Sequence, residues 1–283
     1  MAGRTVRHSI RGRLISVLAV LVCVASSRAA VPVTKSQWAS SPVTIDGLDG
    51  DWKGCPVSHD KKTRADFAFR NDGRNLYILV VLKNPEAAKA LLATGLKVFG
   101  RPGRPGSAGS GVLFVARSVS AEAYIGWEVS QGTVLTEPEK VEIRKAGRRE
   151  LHLAYAIGAT GSIFGPIGRA ARGRNPDFAE SGPADAAAFE FRIPLASPQE
   201  TTGAIGAAPG ETLRVSFDWG GGENQELSTP ASREQHVSNS GYLSGTGRTW
   251  SQEFLDTFDA MARPSSNAKK YSFSVDVALA ELR

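Results

Sequence analysis

The sequence predicts an all-β protein that folds as a single antiparallel β-sandwich of about ten strands with one or two short helices. Short segments in which apolar and polar residues alternate follow one another from Val43 to the C-terminus, and this pattern is typical of strands with one buried face. Asp72 and Gly73 lie between two such segments and predict a tight hairpin turn. Helices and strands do not alternate regularly along the chain, which argues against a parallel sheet with crossover helices.

A hairpin and a helix are the first predicted elements. The hairpin comprises residues 65–82, and its second strand is apolar on both faces, which predicts a strand covered on both sides. Asn84 and Pro85 follow as the cap and first-turn residue of a helix that runs through Leu92. Residues 95–99 are predicted to form a further strand, because apolar and polar side chains alternate again.

The rest of the chain is predicted as strands and loops with one more helix. Alternating side chains predict a meander of four strands and then three later strands, in residues 112–116, 123–129, 141–144, 151–157, 187–195, 213–219 and 271–277. Loop-rich insertions are expected near residues 158–183 and 222–248. Thr249 is predicted to begin the second helix, whose apolar stripe includes Trp250 and Phe254.

Residues 1–29 are predicted to be a signal peptide. A stretch with four arginines precedes an apolar run of about eleven residues, and small side chains at Ser27 and Ala29 predict cleavage after Ala29. The apolar run is too short to span a membrane. The protein is therefore expected in the periplasm or outside the cell, with residues 30–42 as a linker and residues 43–283 as the folded domain.

Charge and cysteine content narrow the possible function classes. Five of the 34 Lys and Arg residues lie in the predicted signal peptide, which leaves 29 basic residues against 28 acidic ones. This balance argues against a nucleic-acid-binding surface. Cys55 is the one cysteine after the predicted cleavage site, so we expect no disulfide within the chain and a buried, apolar role for this side chain.

Three patches of the sequence carry a resemblance to a known family. The first joins V-T-I-D-G-L-D-G-D-W at residues 43–52 to the hairpin at residues 65–82, the second is E-F-R-I-P-L at residues 190–195, and the third is G-E-T-L-R-V-S-F-D-W at residues 210–219. Together they resemble the family 9 carbohydrate-binding-module-like domains, which belong to the wider DOMON-like β-sandwiches. The resemblance implies a jelly-roll-like sandwich that binds a carbohydrate or glycan and catalyses no reaction.

A search for catalytic motifs finds none. The sequence has no H-E-x-x-H, no C-x-x-C, no P-loop and no G-x-S-x-G. His59, His152 and His236 are far apart in the sequence, and His152 lies on the polar side of an alternating strand, where a surface histidine is expected. The sequence therefore predicts a non-enzymatic protein. Two alternatives stay open, a structural or assembly module of the cell envelope that binds a protein partner, and a glycan-active enzyme.

A calcium site is one hypothesis for the opening stretch. Asp46, Asp49 and Asp51 lie within six residues of one another, and carboxylate oxygens are ligands that Ca²⁺ prefers. Several members of the resembled family bind structural calcium. The alternative is that Asp46 and the neighbouring glycines form a turn that needs no ion. No other cofactor is predicted.

Tryptophans are the candidate sugar-binding residues, because pyranose rings stack on aromatic faces. Trp52 is expected in the core because it follows the opening turn. Trp127 is expected there because it lies on the apolar face of a predicted strand. Trp219 ends a strand beside three glycines, and glycine-rich loops on a rigid sandwich are where binding groups usually lie. The predicted ligand-binding tip consists of Trp219, Glu223, Asn224 and Gln225. The alternative is that Trp219 closes the core and the glycines end the strand.

Overall fold

Two β-sheets form the frame of the protein. The computed structural model describes residues 33–167, 175–181, 187–221 and 269–282. The strands of these residues are β1 (Val33–Lys35), β2 (Gln37–Trp38), β3 (Ser58–Asp60), β4 (Ala65–Asn71), β5 (Asn75–Leu82), β6 (Leu96–Pro102), β7 (Ser110–Ser120), β8 (Arg148–Ile157), β9 (Ile163–Pro166), β10 (Asp177–Ser181), β11 (Ala187–Pro194), β12 (Thr212–Trp219) and β13 (Tyr271–Ala278). The α-helices are α1 (Pro85–Thr94), α2 (Ala121–Ser130) and α3 (Glu137–Ala146).

One sheet has seven strands in the order β1-β13-β12-β6-β7-β8-β9. The other has six, with β10-β11-β5-β4-β2 in a row and β3 paired to β4. The pairings of β1 with β13 and of β2 with β4 are parallel, and the others are antiparallel. Both parallel strands come from the segment predicted as a linker, residues 30–42. The predicted sandwich is confirmed, and its sheets are mixed where these two short strands join them.

The two sheets pack face to face through aromatic side chains. Between ring centroids, Phe191 of β11 lies 4.9 Å from Phe114 of β7, and Phe69 of β4 lies 6.4 Å from Phe217 of β12. All four rings belong to one buried cluster. Cys55, the cysteine of the described residues, is free and buried, as predicted. Apolar burial between the sheets therefore holds this part of the chain together without a disulfide.

A second apolar cluster covers the outer face of the seven-stranded sheet. Leu113 of β7 and Leu153 of β8 pack there against Trp127 of α2, which is 1% exposed. Successive side chains of a strand point to opposite faces, so these residues point away from the core that holds Phe114 and Ala154. From Leu151 onward both faces of β8 are therefore covered, and its even-numbered side chains face the other sheet.

Two segments predicted as strands, residues 123–129 and 141–144, are helices. α2 begins at a cap in which the Ser120 hydroxyl accepts a hydrogen bond from the N–H of Ala123 at 3.2 Å. α3 begins with a capping box, because Thr136 and Glu139 each accept a hydrogen bond from the other's backbone N–H. Alternation over so few residues fits either structure, and the caps and the packing of Trp127 favour helices.

The other predicted elements agree with the structure. β4 and β5 form the predicted hairpin, and nearly every side chain of β5 is buried. Asn84 caps α1 by accepting a hydrogen bond from the N–H of Glu86 at 3.0 Å. The last three predicted strands are β11, β12 and β13, whereas β9 and β10 lie in a segment predicted as a loop insertion. The helix predicted from Thr249 lies outside the described residues. Within the described ranges, no helix is both long and apolar enough to cross a membrane.

Candidate functional site

The stretch at residues 43–52 forms a turn and then a short 3₁₀ helix, Gly50–Trp52. Alternation predicts strands from Val43 onward, but residues 43–49 form no strand. Trp52 is 5% exposed and packs with Val43, Cys55 and Tyr77 on the outer face of the six-stranded sheet. The predicted core position of Trp52 is therefore confirmed.

A buried carboxylate fixes the Trp52 ring. The indole Nε1 donates a hydrogen bond to Oε1 of Glu190 on β11, a residue with 0% exposure. The other carboxylate oxygen, Oε2, accepts hydrogen bonds from the N–H of Gly47 at 2.7 Å and from that of Asp46 at 3.0 Å. Burial raises the pKa of Glu190, and the three donors oppose that rise because they stabilise the charged form. One side chain thus joins two of the sequence patches, residues 43–52 and 190–195.

Gly47 allows the same turn to touch the edge strand β10. Its φ is +80°, and a Cβ atom there would lie 2.6 Å from the backbone carbonyl carbon of Glu180. Only glycine accommodates such an approach with this backbone conformation. The Ser181 hydroxyl also donates a hydrogen bond to the Gly47 carbonyl. The turn therefore holds the backbone that carries the Glu180 side chain.

Two of the three aspartates of the opening stretch, Asp46 and Asp51, accept hydrogen bonds within the turn. Asp51 accepts a hydrogen bond from the N–H of Thr44 at 2.8 Å, and Asp46 accepts one from the N–H of Leu48 at 2.8 Å. Bonds of this kind shape a turn without an ion. Within the described ranges, Asp46, Asp49 and Asp51 are not among the side chains whose ligand atoms cluster as a metal would require. Calcium at this stretch stays a prediction.

Trp219 lies in the core, in contrast to its predicted contact with a ligand. The side chain is 2% exposed, and its ring stacks on Tyr271 with the centroids 5.4 Å apart. Its Nε1 donates a hydrogen bond to the Ala87 carbonyl of α1 at 2.9 Å. The ring has no exposed face on which a sugar could stack. The structure therefore agrees with the alternative, in which Trp219 is a core residue. The other predicted tip residues, Glu223, Asn224 and Gln225, lie outside the described residues.

Trp219→Phe is expected to lower the melting temperature and to leave ligand binding unchanged. Phenylalanine keeps the stacking on Tyr271, but it removes the indole hydrogen bond to the Ala87 carbonyl and opens a small cavity. The combined cost is about 1–3 kcal/mol. Thermal denaturation followed by circular dichroism measures it, with Trp38→Phe as the control because Trp38 is only half-buried. An unchanged melting temperature for Trp219→Phe would contradict the core position.

A cleft of about 740 Å³ opens at one end of the sandwich, where the β6–β7, β8–β9 and β11–β12 loops meet. Leu195, Ile205 and several alanines and glycines form an apolar floor. The polar side chains of its lining are Arg104, Ser107, Ser110, Ser197, Gln199 and Thr202. An apolar cavity of roughly 300–1,000 Å³ with a few polar groups is typical of small-molecule sites. The cleft is therefore a candidate binding site within the described residues.

Hydrogen bonds between loops fix the shape of the cleft. Arg104 Nη2 donates to the Gly206 carbonyl at 2.6 Å, and the Ser110 hydroxyl donates to the Ala204 carbonyl at 2.6 Å. These bonds connect the β6–β7 loop and the first residue of β7 to the β11–β12 loop. The N–H of Ile205 also donates to the Pro194 carbonyl at 3.0 Å at the end of β11. The cleft is therefore formed before any ligand binds.

A second group of polar side chains lies where the edges of the two sheets face each other. Glu150 and His152 of β8 and Glu180 of β10 each offer a ligand atom, and these atoms lie within 4.8 Å of one another. The ring of His152 packs edge to face against Phe178, with the centroids 4.7 Å apart. Burial, the nearby Glu150 carboxylate and a hydrogen bond with it raise the pKa of Glu180 to about 7.

Sequence reasoning missed this group for two reasons. The predicted surface position of His152 is wrong, because the polar side of β8 is covered by the other sheet and the residue is half-buried. Glu180 falls in residues 158–183, which were predicted as a loop insertion. Residues 177–181 read D-F-A-E-S and show no alternation of apolar and polar side chains, so the sequence carries no periodic signal for the strand that holds Glu180.

Comparisons with known proteins find distant structural likeness only. No protein-family model matches the chain, and no curated protein matches it. The chain is similar to a family 9 carbohydrate-binding module from Caldicellulosiruptor kristjanssonii in complex with glucose, at 16% identity over 66% of this chain and 78% of that chain, with a TM-score of 0.32. The cellotriose complex of a family 9 module from the same organism gives 15% identity over 66% and 76%, with a TM-score of 0.32.

A third similar structure comes from Bacteroides uniformis and is described as a candidate carbohydrate-binding protein. It is 11% identical over 67% of this chain and 84% of that chain, with a TM-score of 0.36. Likeness at this level does not indicate what the present chain binds. The class that the described residues define is a two-sheet β-sandwich with a preformed cleft at its loop end.

Proposed function

We propose that this protein is an exported carbohydrate-binding β-sandwich that holds a short saccharide in the cleft and catalyses no reaction. The observation that carries the proposal is the cleft, with its volume of about 740 Å³, its apolar floor and its rim of hydroxyl, amide and guanidinium groups. The resemblance of residues 43–52 and 190–195 to carbohydrate-binding modules supports a saccharide as the ligand. The predicted signal peptide, residues 1–29, supports a place in the periplasm or outside the cell.

The composition of the cleft suits a sugar in one respect and limits its affinity in another. The apolar C–H faces of a pyranose can lie on the floor formed by Leu195 and Ile205, while its hydroxyls reach Gln199 and Thr202 at the rim. The described lining residues include no aromatic ring, so stacking does not contribute there. We therefore expect weak binding in which hydroxyl contacts decide the preference.

Filling the cleft is expected to abolish saccharide binding without unfolding the protein. Ala159 lines the cleft and is exposed, so Ala159→Trp places a large side chain in the cleft at little cost to the core. Ala146→Trp is the matched control, because Ala146 is also exposed but does not line the cleft. Isothermal titration with glucose and cellotriose, and an array of plant, bacterial and algal polysaccharides, measure binding. We expect at least about a tenfold loss for Ala159→Trp, or about 1.4 kcal/mol.

Two outcomes of this experiment contradict all or part of the proposal. Uniform absence of binding across the array would contradict a carbohydrate ligand. Binding that survives Ala159→Trp would contradict the cleft as its site. If that binding is then lost in the double variant Asn224→Ala and Gln225→Ala, the site belongs to the tip predicted from the sequence.

A further inference from the structure

We propose that Glu150, His152 and Glu180 bind a divalent transition-metal ion of the zinc class, and that this ion links the two sheets at their edge. The proposal is independent of carbohydrate binding. It rests on the ligand atoms of these residues, which come from two different sheets and lie within 4.8 Å of one another. A fourth position is left for water or for an exchangeable ligand.

The fold directs all three side chains toward one point. Glu150 and His152 are two residues apart on β8 and share the face of Ala154, which belongs to the core between the sheets. Glu180 likewise shares the face of Phe178, a ring of the same core. The three polar side chains thus lie on the inner faces of the two sheets, next to the apolar core, where β8 and β10 approach each other.

The distances suit an ion after small side-chain adjustments. Ligands at about 2.0–2.2 Å from Zn²⁺ lie about 3.4 Å apart in a tetrahedral site, and the present ligand atoms lie within 4.8 Å of one another. Glu150 is exposed and free to move inward. The backbone of Glu180 is held by Gly47, which packs against it, and the His152 ring is held by the Phe178 ring beside it.

The charges of the cluster favour a cation. Two carboxylates are held close together, and the Glu180 oxygen Oε2 is buried without a hydrogen-bond partner among the described residues. Burying a carboxylate oxygen without a hydrogen-bond donor costs folding free energy. A divalent cation would neutralise both carboxylates at once. The group thus contains one carboxylate oxygen that the fold buries without a hydrogen bond from the described part of the chain.

The ligand types point to zinc and away from calcium. Imidazole nitrogen with two carboxylate oxygens is a set that Zn²⁺ accepts, whereas Ca²⁺ and Mg²⁺ prefer oxygen ligands alone. No thiolate of the described residues takes part, because Cys55 lies in a separate cluster and its Sγ donates to the Phe69 carbonyl. The site is therefore distinct in place and in chemistry from the calcium site predicted at Asp46, Asp49 and Asp51.

Titration of Zn²⁺ into chelator-treated, untagged protein tests the proposal. We expect one ion per chain, a rise in the melting temperature on adding zinc and no such response to Ca²⁺ at this site. Glu150→Gln and Glu180→Gln keep the side-chain shape and are each expected to weaken zinc binding more than about 100-fold, since even the loss of an outer partner of a metal ligand costs about 10–100-fold. His152→Ala should abolish binding if the variant folds.

His59→Ala is the matched control. His59 Nδ1 lies 2.6 Å from Asp66 Oδ1, but Lys83 Nζ lies 2.5 Å from the other oxygen of Asp66, so this pair is already neutralised and has no second acid. Zinc binding should be the same in His59→Ala as in the original protein. Co²⁺ in place of Zn²⁺ should give the visible absorption of a four- or five-coordinate site without a thiolate charge-transfer band.

The proposal is overturned if the protein binds no zinc, if zinc binding persists in Glu150→Gln and Glu180→Gln, or if His59→Ala removes it. Because Glu150 is exposed, Glu150→Gln is expected to fold normally, and its result stands even if His152→Ala does not fold. Saccharide titrations on the same variants separate the two proposals. Zinc binding with no saccharide binding would support the zinc site and would contradict the cleft as a sugar site.

Discussion

Glu190→Ala is expected to lower the free energy of unfolding by about 3–5 kcal/mol. The substitution removes the acceptor of three donors, the N–H groups of Asp46 and Gly47 and the indole Nε1 of Trp52. Each buried donor without a partner costs about 1–3 kcal/mol, and water reaching the half-buried turn recovers part of this loss. For a domain of this size the melting temperature should fall by roughly 6–20 °C. Urea denaturation followed by tryptophan fluorescence measures the change.

Two further variants make this test specific. Glu190→Gln keeps one oxygen as an acceptor but brings an NH₂ group toward the other donors, so an intermediate loss is expected. Glu142→Ala removes an exposed glutamate whose ion pair with Lys145 lies on the surface of α3, and its effect should stay below about 1 kcal/mol. If Glu190→Ala denatures like Glu142→Ala, the carboxylate does not hold the turn.

Trp52→Ala is expected to cost about 3–5 kcal/mol, the usual range for a large buried aromatic side chain. The ring is 5% exposed, and its loss opens a cavity beside Val43, Cys55 and Tyr77. It also leaves Oε1 of Glu190 without the indole donor. With stabilities of about 5–15 kcal/mol typical of folded proteins, the variant should be poorly folded, which thermal denaturation and the yield of soluble protein both measure.

Trp52→Phe separates packing from hydrogen bonding. Phenylalanine fills most of the cavity but donates no hydrogen bond, so its cost should be smaller than that of alanine. Combined with Glu190→Gln in a double-mutant cycle, it should give a coupling energy of about 0.5–3 kcal/mol, as residues in direct contact do. A coupling energy of zero would mean that the two side chains do not act together, and an unchanged melting temperature of Trp52→Ala would place the ring in solvent.

Local pattern predicts the strands well and some helices badly. The hairpin of β4 and β5, the α1 cap at Asn84 and the strand β11 follow from alternation, turn residues and capping residues that act over a few positions. Residues 123–129 and 141–144 alternate as strands do but form α2 and α3. The deciding signals there are the cap at Ser120 and the capping box at Thr136, both of which are visible in the sequence.

The sequence by itself determined the class of fold, because burial of one face of each strand leaves a period of two in the residues. It also determined that Trp52 and Cys55 are core residues. Only the tertiary structure decided which polar side chains meet. Glu190 joins the turn at Asp46 and Gly47 across more than 140 positions of the chain, and Glu180 meets Glu150 and His152 from the opposite sheet. Periodicity states which face of a strand is polar, but sheet packing alone decides whether that face meets water, a cleft or another strand.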